Sequence, residues 1–237
     1  MRLMGIQIIA VNTFREIIRD RVLYGIVLFA LLLFALSIAL GQLTFVEQTR
    51  ISADFGFSGI RLGLSIVSIF VGSTLVAREI EKQTIHTLLA RPVTRTDFLM
   101  GKYLGLNMVV ALVLLGLAGV LILFLALSEM PVTSLSFLQG FATALLGIGL
   151  ESMLLVAMAL FFGAFARPFM SVAFVISFYL IGNCIDALSF FIEKSESQLF
   201  VIAAKLISRG VPNFAVFDWR SEPVYGINVP GAVVAGG

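Results

Sequence analysis

The sequence is poor in reactive side chains. Its 237 residues include one cysteine (Cys184), one histidine (His86) and one tryptophan, and only 13% are charged. A single cysteine excludes an internal disulfide and a thiolate metal cluster. One histidine leaves little for metal ligation or acid–base chemistry. The phosphate-cradling pattern G-x-x-x-x-G-K-S/T does not occur, which argues against nucleoside triphosphate hydrolysis by this chain alone. An intramembrane enzyme would need a nucleophile with a base, or a metal cluster. The scattered serines do not supply one, and Glu151 and Asp186 fall on different apolar runs at different expected depths. There is no internal repeat and no low-complexity tract. The stretch 22–41 is too long for a signal-peptide core and has no small-x-small cleavage site, so no removable leader is expected.

What the chain has in quantity is apolar surface. It is 59% hydrophobic, with a mean hydropathy of +1.06. Soluble domains carry about 25% charged residues, and a water-soluble core cannot hide this much apolar area. The apolar runs are continuous and helix-length, about twenty residues each, so the expected class is an all-α polytopic membrane protein. A transmembrane barrel would show short alternating runs instead. Spans are expected at 22–41, 58–77, 103–127, 135–165 and 169–188. A polar loop is expected over 42–57. Arg61 is placed near the outer end of its span, where a long side chain can snorkel to the headgroups. The stretch 135–165 exceeds a bilayer thickness and must tilt, kink or project. The Phe residues, 22 in number, read mostly as lipid-facing bulk.

Residues 1–21 read as a cytoplasmic interfacial helix. Leu3, Ile6, Ala10, Phe14 and Ile17 recur at helical spacing, with Asn12, Arg15, Glu16 and Arg19 opposite. A cytosolic extension of the first span is the plainer reading of the same residues. The segment 193–228 is more polar and is expected outside the membrane, with a short helix near 198–208 and a loop around Pro212-Asn213-Phe214. Residues 229–237 turn apolar again and suggest a sixth span cut short. With the N-terminus inside, ten basic residues fall on the cytoplasmic side and six on the other. This expects a multi-pass protein of the inner (plasma) membrane.

The segment 78–102 is a polar island between two apolar runs. Together with the three residues that follow it, it holds five of the sixteen basic residues and three of the fourteen acidic ones. Residues 79–90 suit a short helix, with Ile85, Leu88 and Leu89 on one side and Glu79, Gln83, His86 and Thr87 on the other. Arg91 precedes Pro92, which favours a turn. Thr94, three residues before Asp97, then offers a capped start for the next helix. A plain solvated loop needs neither apolar residues at helical spacing nor a cap, so this pattern points to a docking surface.

The island closely resembles the hallmark loop of ABC-2 type transporter permeases, E-x-E-x-G-T-x-x-x-L-L-x-x-P-x-S/T-R-x-x-F-x-x-G-K. Glu79, Glu81, Thr84, Leu88, Leu89, Pro92, Thr94, Arg95, Phe98, Gly101 and Lys102 fit it; Gln83 stands where glycine is usual. The basic N-terminal helix and the P-N-F near Pro212 are also similar to this family, and the subgroup nearest in pattern contains the nitrous oxide reductase maturation permease. The resemblance implies a six-helix permease half of an exporter, pairing with a second half (a copy of itself or a related permease). It implies a separate ABC ATPase docked through Glu79, Glu81, Thr84, Leu88, Leu89, Pro92 and Arg95. ATP–Mg would be held in that subunit, with no cofactor bound directly by this chain and no nucleic acid partner.

Glu151 stands in the middle of the fourth span. A carboxylate there costs roughly 2.5–3.5 kcal/mol on insertion scales and is a functional candidate by default. It reads either as part of a translocation path or as a hydrogen-bonded carboxyl that locks neighbouring helices. Asn183, Cys184 and Asp186 read as a water boundary rather than a metal site. Two readings of function stand: a transport permease, and a membrane scaffold that recruits a cytosolic partner without transport. The scaffold shares the docking loop but has no use for buried polar groups along a path.

Overall fold

The computed structural model describes residues 2–42, 48–81, 94–127, 134–186 and 198–219. Among the described residues seven helices run in order: α1 (Arg2–Arg19), α2 (Arg21–Gln42), α3 (Gln48–Glu81), α4 (Arg95–Leu127), α5 (Leu135–Gly163), α6 (Pro168–Asn183) and α7 (Gln198–Gly210). A short 3-10 turn follows at Ala215–Phe217. No strand occurs among the described residues. The all-α expectation holds, as it must where lipid leaves backbone groups no partner outside their own helix.

Local chemistry sets the helix starts. Thr94 caps α4: its Oγ1 accepts from the Asp97 amide at 3.3 Å, as the island's spacing predicts. Ser134 caps α5 in the same way, accepting from the Phe137 amide at 3.3 Å. Pro168 opens α6 at the position where its missing N–H costs nothing. Between α1 and α2 the chain bends at Asp20, whose amide donates to Ile17 and whose carbonyl accepts from Leu23.

Among the described residues three stretches are long and apolar enough to cross a membrane: Ile51–Leu75, Thr96–Leu127 and Phe137–Gly163. α2 and α6 add shorter apolar stretches, Leu23–Leu36 and Pro168–Asn183. One boundary differs from the sequence expectation. The polar residues after Gln48 do not form a loop; α3 already includes them and runs unbroken for 34 residues to Glu81. At 1.5 Å per residue that is about 51 Å, well beyond a bilayer core. Polar residues in its first turns therefore do not end the helix, because the projecting end is not bound by lipid. The expected sixth span lies outside the described residues.

α3 is the central helix, packed by α2, α4, α5 and α6. Glycines let the backbones close up: a Cβ on Gly72 would lie 2.7 Å from that of Ala159 on α5, and one on Gly56 would run into Leu121 of α4. The phenylalanines divide. Phe34, Phe57, Phe141, Phe162 and Phe214 are buried, whereas Phe161, Phe165 and Phe169 face outward with Leu112, Leu115 and Leu123. The bulk-lipid reading of Phe thus fails for the five that fill inter-helix space.

α1 is held against the bundle. Its Ala10, Thr13 and Ile17 are buried, and it packs along the first turns of α4. Gly101 and Gly105, one turn apart, make the seat: a Cβ on Gly105 would meet the Ala10 carbonyl oxygen at 2.7 Å, and one on Gly101 would meet Ile9 at 2.6 Å. Lys102 lies between them, buried beneath α1, with its Nζ 3.4 Å from Glu16 and 5.7 Å from the Phe98 ring centre. Gly105→Val should unseat α1, because backbone cannot yield as a side-chain tip can. Overpacking of this kind costs about 1–3 kcal/mol. Protease cleavage within residues 2–19 should rise in the variant, and unchanged cleavage would show that α1 is held by other contacts.

Candidate functional site

Glu151 of α5 is fully buried, and Arg61 of α3 turns inward to meet it. Arg61 Nε donates to Glu151 Oε2 at 2.7 Å and Nη2 donates to Oε1 at 2.9 Å, a two-pronged ion pair between neighbouring helices. The snorkelling expectation for Arg61 is therefore overturned. A guanidinium beside a buried carboxylate gains more from a paired fork than from reaching the headgroups.

The same guanidinium gathers two further elements. Its Nη2 also donates to Asn183 Oδ1 at 2.9 Å, at the C-terminal end of α6, and lies 3.4 Å from the Phe214 carbonyl. Its Nη1 donates to Asp218 Oδ2 at 3.1 Å. One turn along α3, Ser65 Oγ donates to the Arg61 carbonyl and lies 3.2 Å from the Tyr179 hydroxyl of α6. Arg61 thus joins α3, α5, α6 and the segment 211–219. Sequence reasoning missed it. The signal was present: Arg61 and Glu151 are the lone basic and lone acidic residues of their spans, and a shared need for a partner could have paired them.

The segment 211–219 is a strap folded back onto the bundle, not a loop standing clear of it. Phe214 is fully buried, donates its amide to the Gly182 carbonyl at 3.2 Å, and sets its ring edge-on to Tyr179. Asn213 fixes the turn: its Nδ2 donates to Asp186 Oδ1 at 2.8 Å, and its Oδ1 accepts from the Ala215 amide. Trp219 donates its ring N–H to the Val216 carbonyl at 2.8 Å and lays its ring against Gly147. Two glycines make room. A Cβ on Gly182 would strike the Phe214 ring and lie 2.6 Å from the Pro212 oxygen; one on Gly147 would lie 2.5 Å from the Phe217 oxygen. Asn183 and Asp186, read from sequence as a water boundary, also tie in the strap: Asp186 through Asn213, and Asn183 through the Arg61 guanidinium that it shares with the strap.

The island residues are placed only in part. Glu79 and Glu81 stand in the last turn of α3, so no break separates the second span from the start of the island, and Arg95 opens α4. Their side chains lie outside the described residues, as do Thr84, Leu88, Leu89, Pro92 and His86. The Arg61 centre and the island occupy different regions of the fold: one lies within the bundle, the other joins the ends of α3 and α4.

This geometry holds helices and a strap together through one cation. The family profile agrees with a transport role. Residues 7–200 match the ABC-2 family transporter protein profile, and the chain belongs to that family. It is a membrane permease subunit of an ABC-2 transporter. No curated protein matches the chain. The match ends at residue 200, before the strap.

Proposed function

We propose that this permease subunit is driven by a separate ABC ATPase docking on residues 78–102, and that it exports its substrate. A second permease half, a copy or a related chain, completes the path. The N-terminus faces the cytoplasm, and ATP–Mg is held by the partner. Glu79, Glu81, Thr84, Leu88, Leu89, Pro92 and Arg95 form the docking surface, as the loop pattern implies.

The observation that carries this reading is the seat of α1 on α4. The island leads through the Thr94 cap straight into a helix clamped to α1 at Gly101 and Gly105. A push on the island therefore moves two helices together and reaches the first span through the Asp20 bend. The buried Arg61–Glu151 pair favours the permease over a scaffold, which has no use for an ionic centre inside the bundle. On this reading the pair and the strap form the closed wall of the path.

Charge reversal tests the docking. Glu79→Lys or Glu81→Lys should abolish recovery of the ATPase with the tagged permease while leaving permease yield unchanged. Undiminished ATPase recovery in both variants would remove the island from the interface.

A further inference from the structure

Two carboxylates meet one guanidinium. Glu151 takes the Nε and Nη2 side of Arg61, and Asp218 takes Nη1 at 3.1 Å. Glu151, which is 1% exposed, already balances the cation. Asp218 exceeds that balance and stands at the accessible edge: its side chain is 26% exposed and that of Arg61 13%. The partners also differ in what carries them. Glu151 and Asn183 belong to α5 and α6, whereas Asp218 belongs to the strap.

Asp218 does not come alone. Phe214, on the same strap, is fully buried, with its ring against Gly182 and edge-on to Tyr179. Trp219, next to Asp218, lays its ring against Gly147. The bundle thus offers a cation and two glycine seats, and residues 214–219 fill all three with a carboxylate and two aromatic rings. A strap that lifts vacates Nη1 and both seats together, while Glu151 and Asn183 stay with Arg61. What takes the place of Asp218 must then carry its single negative charge. A dianion would bring a surplus charge beside Glu151, where like charges so close disfavour each other.

We propose that Arg61, with the seats at Gly147 and Gly182, binds a monoanionic carboxylate that has an aromatic or other apolar body, and that the strap occupies this site as an internal stand-in. The inference rests on the reading of the pair and the strap as the wall of the path, on which such an acid is the substrate class. The binding itself needs no ATPase.

Titration of the full chain in neutral detergent with phenylacetate, against its neutral counterpart phenylacetamide, tests it. The strap competes as a tethered carboxylate at an effective concentration on the order of millimolar, so removing an acid should strengthen the binding of an acid. Asp218→Ala and the isosteric Asp218→Asn should each bind phenylacetate about tenfold tighter than wild type, the gain of one uncontested charge-assisted hydrogen bond. The amide should gain nothing, and Arg61→Leu/Glu151→Leu should bind neither. In wild type, phenylacetate should move Trp219 emission to longer wavelength as the strap is displaced. Equal affinity of wild type and both Asp218 variants for the acid would overturn the stand-in. An amide bound as tightly as the acid would overturn the anion site, and acetate bound as tightly as phenylacetate would leave an adventitious ion only. Acid-specific binding that fails to stimulate the ATPase of the reconstituted complex would keep the site and refute its place on the path.

Discussion

Arg61→Leu lowers the thermal midpoint of the purified protein by on the order of 10 °C, the largest effect expected of any single change in the bundle. The residue donates to Glu151, Asp218 and Asn183 at once. Its loss leaves Glu151, which is 1% exposed, without its counter-charge. Removing one partner of a buried pair costs about 3–5 kcal/mol, whereas replacing both by apolar groups is often neutral. The double variant Arg61→Leu/Glu151→Leu should therefore recover much of the loss, leaving Asp218, already 26% exposed, to turn to water. Arg61→Lys should rescue poorly, since an ammonium cannot supply the two-pronged contact. The cycle is measured by size-exclusion chromatography after heating. A double variant no more stable than Arg61→Leu would mean that the strap and Asn183, rather than Glu151, are what Arg61 holds.

The same variants separate stability from transport. A double leucine variant that is stable yet no longer supports substrate-stimulated ATPase activity in the reconstituted complex would place the charges on the path. One that is stable and active would make the pair a lock between α3 and α5.

The helices were legible because bilayer physics writes them into composition. Continuous apolar runs appear as α2 to α6, and the spacing of Thr94 and Asp97 gave the start of α4 correctly. The boundary at Gln48 was not legible, because polarity in a run signals the edge of lipid rather than the end of a helix, and α3 projects. The seat of α1 was half visible. Its helical spacing was plain, but the spacing names a face and not what covers it; Gly101 and Gly105 on a distant helix decide that. The pairing of Arg61 and the docking of the strap were not legible: from sequence Arg61 reads as snorkelling and 212–214 as a loop. Each depends on contacts ninety residues or more apart in the chain, which periodicity cannot carry. Gly147 and Gly182 show the same limit: glycine in a span is common, and only the fold shows Phe217 and Phe214 pressed against these two.

Gly182→Val should release the strap, and the protein carries its own reporter. Trp219 is the single tryptophan of the sequence. It sits half-buried against Gly147, whereas Gly182 meets Pro212 and Phe214 earlier in the strap. A valine at 182 collides with the Phe214 ring and the Pro212 carbonyl, not with the indole, so any change in Trp219 must travel through the strap. The opposing terms are comparable: overpacking costs about 1–3 kcal/mol, and withdrawing a buried phenylalanine costs about 3–5 kcal/mol. The hydrogen bond from Phe214 to Gly182 and the Arg61–Asp218 contact hold the strap as well. Valine alone should therefore shift the population, and valine combined with Asp218→Asn should complete the release. Trp219 emission should move to longer wavelength and acrylamide quenching should rise in that order across the two variants. Gly116→Val is the control, because a Cβ there meets nothing within 4 Å. In proteoliposomes holding a small dye, the double variant should leak where wild type and Gly116→Val do not, since the strap and the Arg61 pair would no longer close the bundle. Unchanged emission in both strap variants would mean that α6 moves aside and the strap stays. Red-shifted emission without leakage would keep the release but place the closure of the path elsewhere than at the strap.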